Sequence, residues 1–211
     1  MLVASDMPLE QLAQQLDGLV IRCLRNLGPY ENNIFLISDA PSGEGYVIDG
    51  GYEPRKIARA AEGLSVRSIL ITHGHRDHHE HVGELKPLLG ATVAIGIDDA
   101  AQLSIAPDAL IVDQQVFNFG PLALHAIHTP GHTPGSTCFL IGKHLFTGDT
   151  LFPGGPGNTQ RDPIRFERII ASIRERLFSL PDNTIVYPGH GRDTTIGRER
   201  PHLEEWIARG W

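Results

Sequence analysis

The segment Thr72-His73-Gly74-His75-Arg76-Asp77-His78 constrains the fold more than any other part of this 211-residue chain. It sets three histidines and an aspartate directly after the apolar run Ile69-Leu70-Ile71, where a strand ends and the chain must turn. Imidazole and carboxylate suit zinc, iron or manganese as ligands. One buried histidine needs a single hydrogen-bond partner. So dense a set at one strand end needs many more, and a metal ion satisfies it most economically. The competing reading is a solvated polar turn.

Three more candidate ligands stand in turns flanked by glycine. His132 lies in Thr129-Pro130-Gly131-His132-Thr133-Pro134-Gly135, Asp149 in Thr147-Gly148-Asp149-Thr150, and His190 between Gly189 and Gly191. Glycine and proline fix tight loops and let backbone approach a ligand. Each residue taken alone has an ordinary explanation: an exposed histidine, a turn former or a helix cap. Together they mean that four strand ends each deliver a metal-competent side chain to a loop, which is where functional groups collect on a rigid scaffold. The set His73, His75, Asp77, His78, His132, Asp149 and His190 exceeds what one tetrahedral ion needs. It suits two ions sharing a carboxylate.

Periodicity supplies the scaffold. Strands are predicted at Leu19–Leu24, Asn33–Ser38, Tyr46–Asp49, Ser68–Ile71, Thr92–Ile95, Ala109–Val112, Leu122–Ile127, Thr137–Ile141, His144–Thr147 and Thr184–Tyr187. A short helix is predicted over Arg55 to Glu62. An amphipathic one carrying Val82, Leu85, Leu88 and Leu89 ends at Gly90. The clearest helix runs from Pro163 to Phe178, with Asp162 as its cap and an apolar stripe of Phe166, Ile169, Ile170, Ile173 and Leu177. Its charges Arg165, Arg168, Arg174, Glu175 and Arg176 read as a solvated face. A last helix starts near Pro201 and packs Leu203, Trp206 and Ile207. Mixed strands and helices in both halves fit two sheets faced by helices.

The length fits one domain over residues 1–211. The formal net charge of −7 disfavours nucleic acid and anionic membranes as partners. Residues Met1 to Leu19 lack a basic, apolar leader, and no window is apolar enough to span a bilayer, so a cytoplasmic location is expected. Cys23 and Cys138 read as buried inert thiols.

The motifs His73-Gly-His75-Arg-Asp77-His78, Pro130-Gly-His132-Thr-Pro-Gly-Ser136, Gly148-Asp149-Thr-Leu-Phe152 and Tyr187-Pro-Gly-His190-Gly191 resemble those of the metallo-β-lactamase superfamily, and within it the glyoxalase II-like (hydroxyacylglutathione hydrolase-like) hydrolases. The resemblance runs from about Asn33 through His190. It implies an α/β fold, a four-layer αββα sandwich of two mixed sheets flanked by helices, with metals at one edge. It also implies two divalent ions, zinc first and iron or manganese as alternatives. His73, His75 and His132 would hold one ion; Asp77, His78 and His190 would hold the other; Asp149 would bridge. The implied reaction is attack of a metal-held hydroxide on the carbonyl of a small-molecule thioester or ester, with Asp77 helping to hold or deprotonate the nucleophile. A lactonase is the same-chemistry alternative.

Departures from family patterns narrow the choice. Aspartate at 149, where β-lactamases of this superfamily carry cysteine or serine, argues against an antibiotic-hydrolysing role. Only Gly191 to Trp211 follow His190, so the C-terminal glutathione-binding region of full-length glyoxalase II is expected to be missing. Persulfide dioxygenases, with one iron on His73, His132 and Asp149, are the other-class alternative. Gly157-Asn158-Thr159-Gln160 stands where they carry a Gly-Arg-Thr-Asp-like stretch. His79 and His81 read as surface groups or supports for the ligands. His125, His128, His144 and His202 read as structural or exposed. The loop Phe152 to Thr159 reads equally as a wall of the substrate mouth or a flexible turn, and Tyr30 to Asn33 as a border of the site.

Overall fold

The computed structural model describes residues 13–16 and 18–210. Most of the acidic N-terminal stretch, with Asp6, Glu10 and Asp17, lies outside them. Seven strands form the first sheet in chain order: β1 (Ala13–Leu16), β2 (Leu19–Leu27), β3 (Asn32–Asp39), β4 (Glu44–Ile48), β5 (Ser65–Ile71), β6 (Thr92–Gly96) and β7 (Ala109–Ile111). β1 to β4 are antiparallel neighbours, and β4 to β7 are parallel. Between the parallel strands run helices α1 (Pro54–Ala60), α2 (Arg76–His79) and α3 (Val82–Leu89).

The second half supplies β8 (Val116–Phe119), β9 (Leu122–His128), β10 (Thr137–Ile141), β11 (His144–Gly148), a small hairpin of β12 (Leu151–Phe152) and β13 (Gly155–Pro156), then β14 (Ile185–Pro188) and β15 (Thr194–Thr195). The second sheet has the order β15-β14-β11-β10-β9-β8, with β11 and β14 its parallel pair. Helix α4 (Pro163–Ser172) continues as a wider π turn, Ile173–Leu177; α5 (Ile196–Glu199) and α6 (Leu203–Arg209) follow.

Three apolar layers explain the stacking. Alternate side chains of the first sheet, such as Ile21, Phe35, Ile37, Ile48 and Leu70, meet Phe119, Leu124, Phe139 and Phe146 of the second. Their neighbours Ile34, Leu36, Val47, Ile69 and Ile71 point the other way, onto Ile57 of α1 and Val82 and Leu85 of α3. Behind the second sheet, Cys138, Leu145 and Val186 meet Ile169, Ile173 and Trp206. The period-two side-chain alternation of a strand therefore buries both faces of both sheets, giving helix, sheet, sheet, helix. Among the described residues no helix is long and apolar enough to cross a membrane.

Several boundaries move. Leu88 is 51% exposed although it continues the stripe of α3; with i, i+3 spacing from Leu85 it drifts off the face that Val82 and Leu85 bury. Gly90 does close that helix in the left-handed conformation, φ 60. Asp162 caps α4 by accepting from Ile164 N and Arg165 N. β1 and β8 are short strands that the sequence pattern did not separate from their surroundings. Cys23 and Cys138 are buried and unpaired with each other.

Candidate metal centre

All seven predicted side chains come together at one edge of the paired sheets. His73, His75, Asp77 and His78 follow β5; His132 follows β9, Asp149 follows β11 and His190 follows β14. Local backbone contacts lock these ends side by side. Gly189 N donates to Gly148 O at 2.8 Å, Thr137 N donates to Thr72 O across the two sheets at 2.8 Å, and Asn33 N donates to Gly189 O at 2.7 Å. Gly189 is required there: a Cβ would lie 2.5 Å from Asp149 Oδ1 and 2.7 Å from His78 Cε1.

Two clusters share one carboxylate. In the first, His75 Nδ1 lies 2.8 Å from His132 Nε2 and 3.1 Å from His73 Nε2. In the second, His78 Nε2 lies 3.2 Å from His190 Nε2 and 3.4 Å from Asp77 Oδ2. Asp149 stands between them, with Oδ2 3.6 Å from His132 Nε2 and Oδ1 3.5 Å from His78 Nε2 and 3.6 Å from His190 Nε2. The trios His73/His75/His132, His73/His78/Asp149 and Asp77/His78/His190 each have their ligand atoms mutually within 4.8 Å.

The outer ring nitrogens show which atoms are available. His132 Nδ1 donates to Asn158 O at 2.8 Å, and His190 Nδ1 donates to Tyr30 O at 2.8 Å. His78 Nδ1 meets Asp49 Oδ2 at 2.9 Å. His73 Nδ1 faces Thr72 Oγ1 at 3.1 Å, and that hydroxyl is itself directed at Asp49. A carbonyl or carboxylate partner fixes the proton on Nδ1 and leaves the Nε2 lone pair pointing inward. His75 alone turns Nδ1 inward. Lone pairs converging at such distances repel one another unless a cation lies among them. Tetrahedral Zn–N bonds of roughly 2.0–2.1 Å put neighbouring nitrogens about 3.3 Å apart, a little wider than the 2.8–3.2 Å between the nitrogens here. Asp149 Oδ1 is buried with no hydrogen-bond partner, as an oxygen reserved for an ion would be. The donor set therefore fits divalent metal.

Electrostatics sort the two clusters. Burial, reinforced by His78 and the other imidazoles, holds His73 well below the usual histidine range. Burial likewise brings His132 down to about 4, against the pull of Asp149. His78 behaves oppositely: burial opposes its charge, but Asp49, Asp149 and Asp77 together raise it to about 9. Asp77 is held below the usual carboxylate range, because bonds from His190 and Asn32 and the charge of His78 outweigh burial.

Three supporting residues lie outside the ligand motifs, and of these only Asn32 falls in a stretch the sequence pointed to. Asp49, buried at the end of β4, accepts from Thr72 N at 2.8 Å as well as bonding His78. Asn32 donates to Asp77 Oδ2 at 3.0 Å, placing part of the Tyr30–Asn33 stretch at the border of the site. Asp99, fully buried, accepts from Gly74 N at 2.8 Å and Thr133 Oγ1 at 2.5 Å, and from Gly135 N at 2.8 Å. It ties the His73–His75 loop to the His132 loop. His79 is buried against Gly74 O rather than lying at the surface, while His81 packs on the Tyr52 ring. His144 is a buried structural partner of the Tyr187 hydroxyl.

The stretch Phe152 to Asn158 walls a recess of about 330 Å³ that also exposes His132 and Asp149. A second recess, lined by Tyr30, Tyr52 and Asp77, opens on the other side. The loop thus borders the centre.

A family model for the metallo-beta-lactamase superfamily matches residues 27–190, and the chain belongs to that superfamily. Hydroxyacylglutathione hydrolase GloC of Haemophilus influenzae is 33% identical over 192 residues, covering 81% of this chain and 91% of that protein. Among solved structures, ETHE1 from Myxococcus xanthus superposes with a TM-score of 0.77 at 30% identity, covering 90% of this chain and 89% of that one. TTHA1623 in a di-iron-bound form gives a TM-score of 0.68 at 33% identity, covering 82% and 94%.

Proposed function

We propose that this protein is a metal-dependent hydrolase with two divalent cations, and that it cleaves a small thioester or another carboxylic ester. The observation that carries the reading is the division of Asp149, whose two oxygens face different imidazole clusters. In this assignment His73, His75 and His132 would hold one cation, Asp77, His78 and His190 would hold the other, and Asp149 would be shared between them. Zinc suits the nitrogen-rich set, and iron or manganese are the alternatives. Such cations, when bound, lower the pKa of water towards about 7 and polarise a carbonyl oxygen.

The chain's own residues do the rest. Asn32 donates to Asp77 Oδ2 and holds the ionised carboxylate towards the centre, where it is placed to accept a proton from an attacking water. No serine or cysteine nucleophile is required, and neither cysteine suits the role: both are buried and burial pushes their thiols up, to about 12 for Cys23 and about 11 for Cys138. Likeness to GloC supports a thioester, and lactones are the same-chemistry alternative.

A second reading has one observation in its favour. Persulfide dioxygenase ETHE1 of Bos taurus is 35% identical over 162 residues, with coverage of 74% of this chain and 62% of that protein. One iron on His73, His132 and Asp149 would serve that chemistry. The test is elemental analysis of protein purified without added metal, coupled to assays of thioesters, lactones and β-lactams and to oxygen uptake with a persulfide. Thioester or ester hydrolysis without oxygen uptake is the expected result. His132→Ala is expected to lower both bound metal and turnover; turnover that survives verified loss of metal overturns the reading.

A further inference from the structure

A third recess, of about 220 Å³, opens at the outer side of His75 and is lined by Gln102, Gly131, Thr133, Pro134, Arg165 and Arg168. No carboxylate lines it. Its volume is below the roughly 300–1,000 Å³ of pockets that enclose a whole ligand, so it suits one terminal group of a molecule whose reacting part lies elsewhere.

Its two arginines sit where helix physics disfavours them. They are three residues apart on α4, so their like charges share one helix face. Arg165 lies in the first turn of that ten-residue helix, which has no acidic residue, so it adds to the positive end of the helix dipole rather than compensating it; Arg168 follows one turn later. Arg165 is held in place: Nε donates to Gly131 O at 3.2 Å, Nη1 to Gln160 Oε1 at 3.1 Å, and Nη2 to the carbonyl of His132. It is thus anchored to the backbone of a candidate metal ligand. Arg168 makes no hydrogen bond or ion pair among the described residues. A solvated helix face explains Arg174 and Arg176, which pair with Glu204 and Asp113. Arg168 is exposed like Arg174, but its unpaired guanidinium lines the recess that His75 borders.

We propose that the recess between His75 and α4 is a subsite for a terminal oxyanion of the substrate, a carboxylate or a phosphate, bound by Arg168 and faced by the backbone-anchored Arg165. Guanidinium groups bind both oxyanions through paired N–H bonds. The reacting ester or thioester then extends from this group past His75 to the centre. The inference rests on the hydrolase reading for the identity of the reacting bond, and its binding test does not.

The probes are three non-hydrolysable thioethers that differ only in their end group: carboxylate, phosphate monoester and neutral carboxamide. Their binding to the metal-loaded protein is measured by calorimetry. At least one anionic probe is expected to bind about tenfold more tightly than the carboxamide, as charge-assisted hydrogen bonds warrant. Which one identifies the oxyanion. Arg168→Gln is expected to bring the ratio to within about twofold, and Arg168→Lys to keep part of it. In turnover of the matching thioesters, Arg168→Gln is expected to raise KM for the anionic one and leave its kcat in place. No preference in the wild type, or a preference that persists in Arg168→Gln, overturns the subsite. If the binding preference stands while no ester of the series is hydrolysed, the hydrolase reading falls and the subsite remains.

Discussion

Replacing Asp99 by alanine tests how the first cluster is held together. The carboxylate is fully buried and accepts from Gly74 N, Gly135 N and Thr133 Oγ1, with Gln102 Nε2 at 3.2 Å as a weaker donor. Alanine removes the acceptor and leaves two backbone N–H groups and a hydroxyl to find new partners. Ser136 Oγ, 2.7 Å from Thr133 Oγ1, can rescue the hydroxyl; the two glycine N–H groups have no such substitute. At about 1–3 kcal/mol for each stranded donor, the expected loss is about 3 kcal/mol. For a chain of this size that lowers Tm by roughly 6–12 °C, and it moves the urea midpoint without changing the slope. Because Gly74 lies between His73 and His75, and Thr133 follows His132, the 2.8 Å approach of His75 to His132 slackens as well. Metal analysis is then expected to show one cation lost and one retained, since Asp77, His78 and His190 are not tied to Asp99. A stability loss below about 1 kcal/mol with full metal content refutes this account of Asp99.

Other perturbations have equally definite outcomes. In the metal-free protein His78 is raised to about 9, so its favourable pairing with the three aspartates is complete below about pH 6.5 and lost as pH climbs through about 9. Cation uptake at neutral pH must displace that proton. Calorimetry in buffers of different ionisation heat is expected to show proton release and an affinity that rises with pH up to about 9; pH-independent binding contradicts the assignment of His78 as a ligand. Gly189→Ala inserts a Cβ against Asp149 Oδ1 and His78 Cε1, and is expected to cut metal content and turnover at least tenfold while circular dichroism stays native. Full activity in that variant contradicts the observed packing. Asp49→Asn weakens the acceptor for His78 Nδ1 and Thr72 N; metal affinity is expected to fall by about 10–100-fold, read by competition with a chelator, with unchanged affinity as the contrary result.

The parts of this protein that were legible in its sequence share a physical cause. His73, His75, Asp77, His78, His132, Asp149 and His190 all stand in glycine-bearing or proline-bearing turns just past apolar runs, so their residue type and their place at a strand end point the same way. Asp49 and Asp99 lacked that advantage. Asp49 ends the strand-like run Tyr46–Asp49 and looks like any strand terminus. Asp99 follows Asp98, yet Asp98 is exposed and Asp99 buried, a difference set by the approach of the His132 loop from far along the chain. Arg168 was equally hidden, because an arginine off the apolar stripe of α4 looks solvated until the neighbouring loop shapes a recess around it. Helix α3 shows the limit of periodicity: Leu88 obeys the spacing, but the face turned to the sheet is made by Val82 and Leu85 with Leu89 partly buried beside them, and Leu88 stays exposed.

The central claim is that two cations lie among these side chains with Asp149 between them. Crystals of protein purified without chelator, with diffraction recorded above and below the absorption edge of the metal found by elemental analysis, test it directly. Two anomalous peaks about 3.5–4 Å apart are expected, one bordered by His73, His75 and His132, the other by Asp77, His78 and His190, and both touching Asp149. A single fully occupied peak on His73, His132 and Asp149, with Asp77 and His190 turned away from it, contradicts the claim.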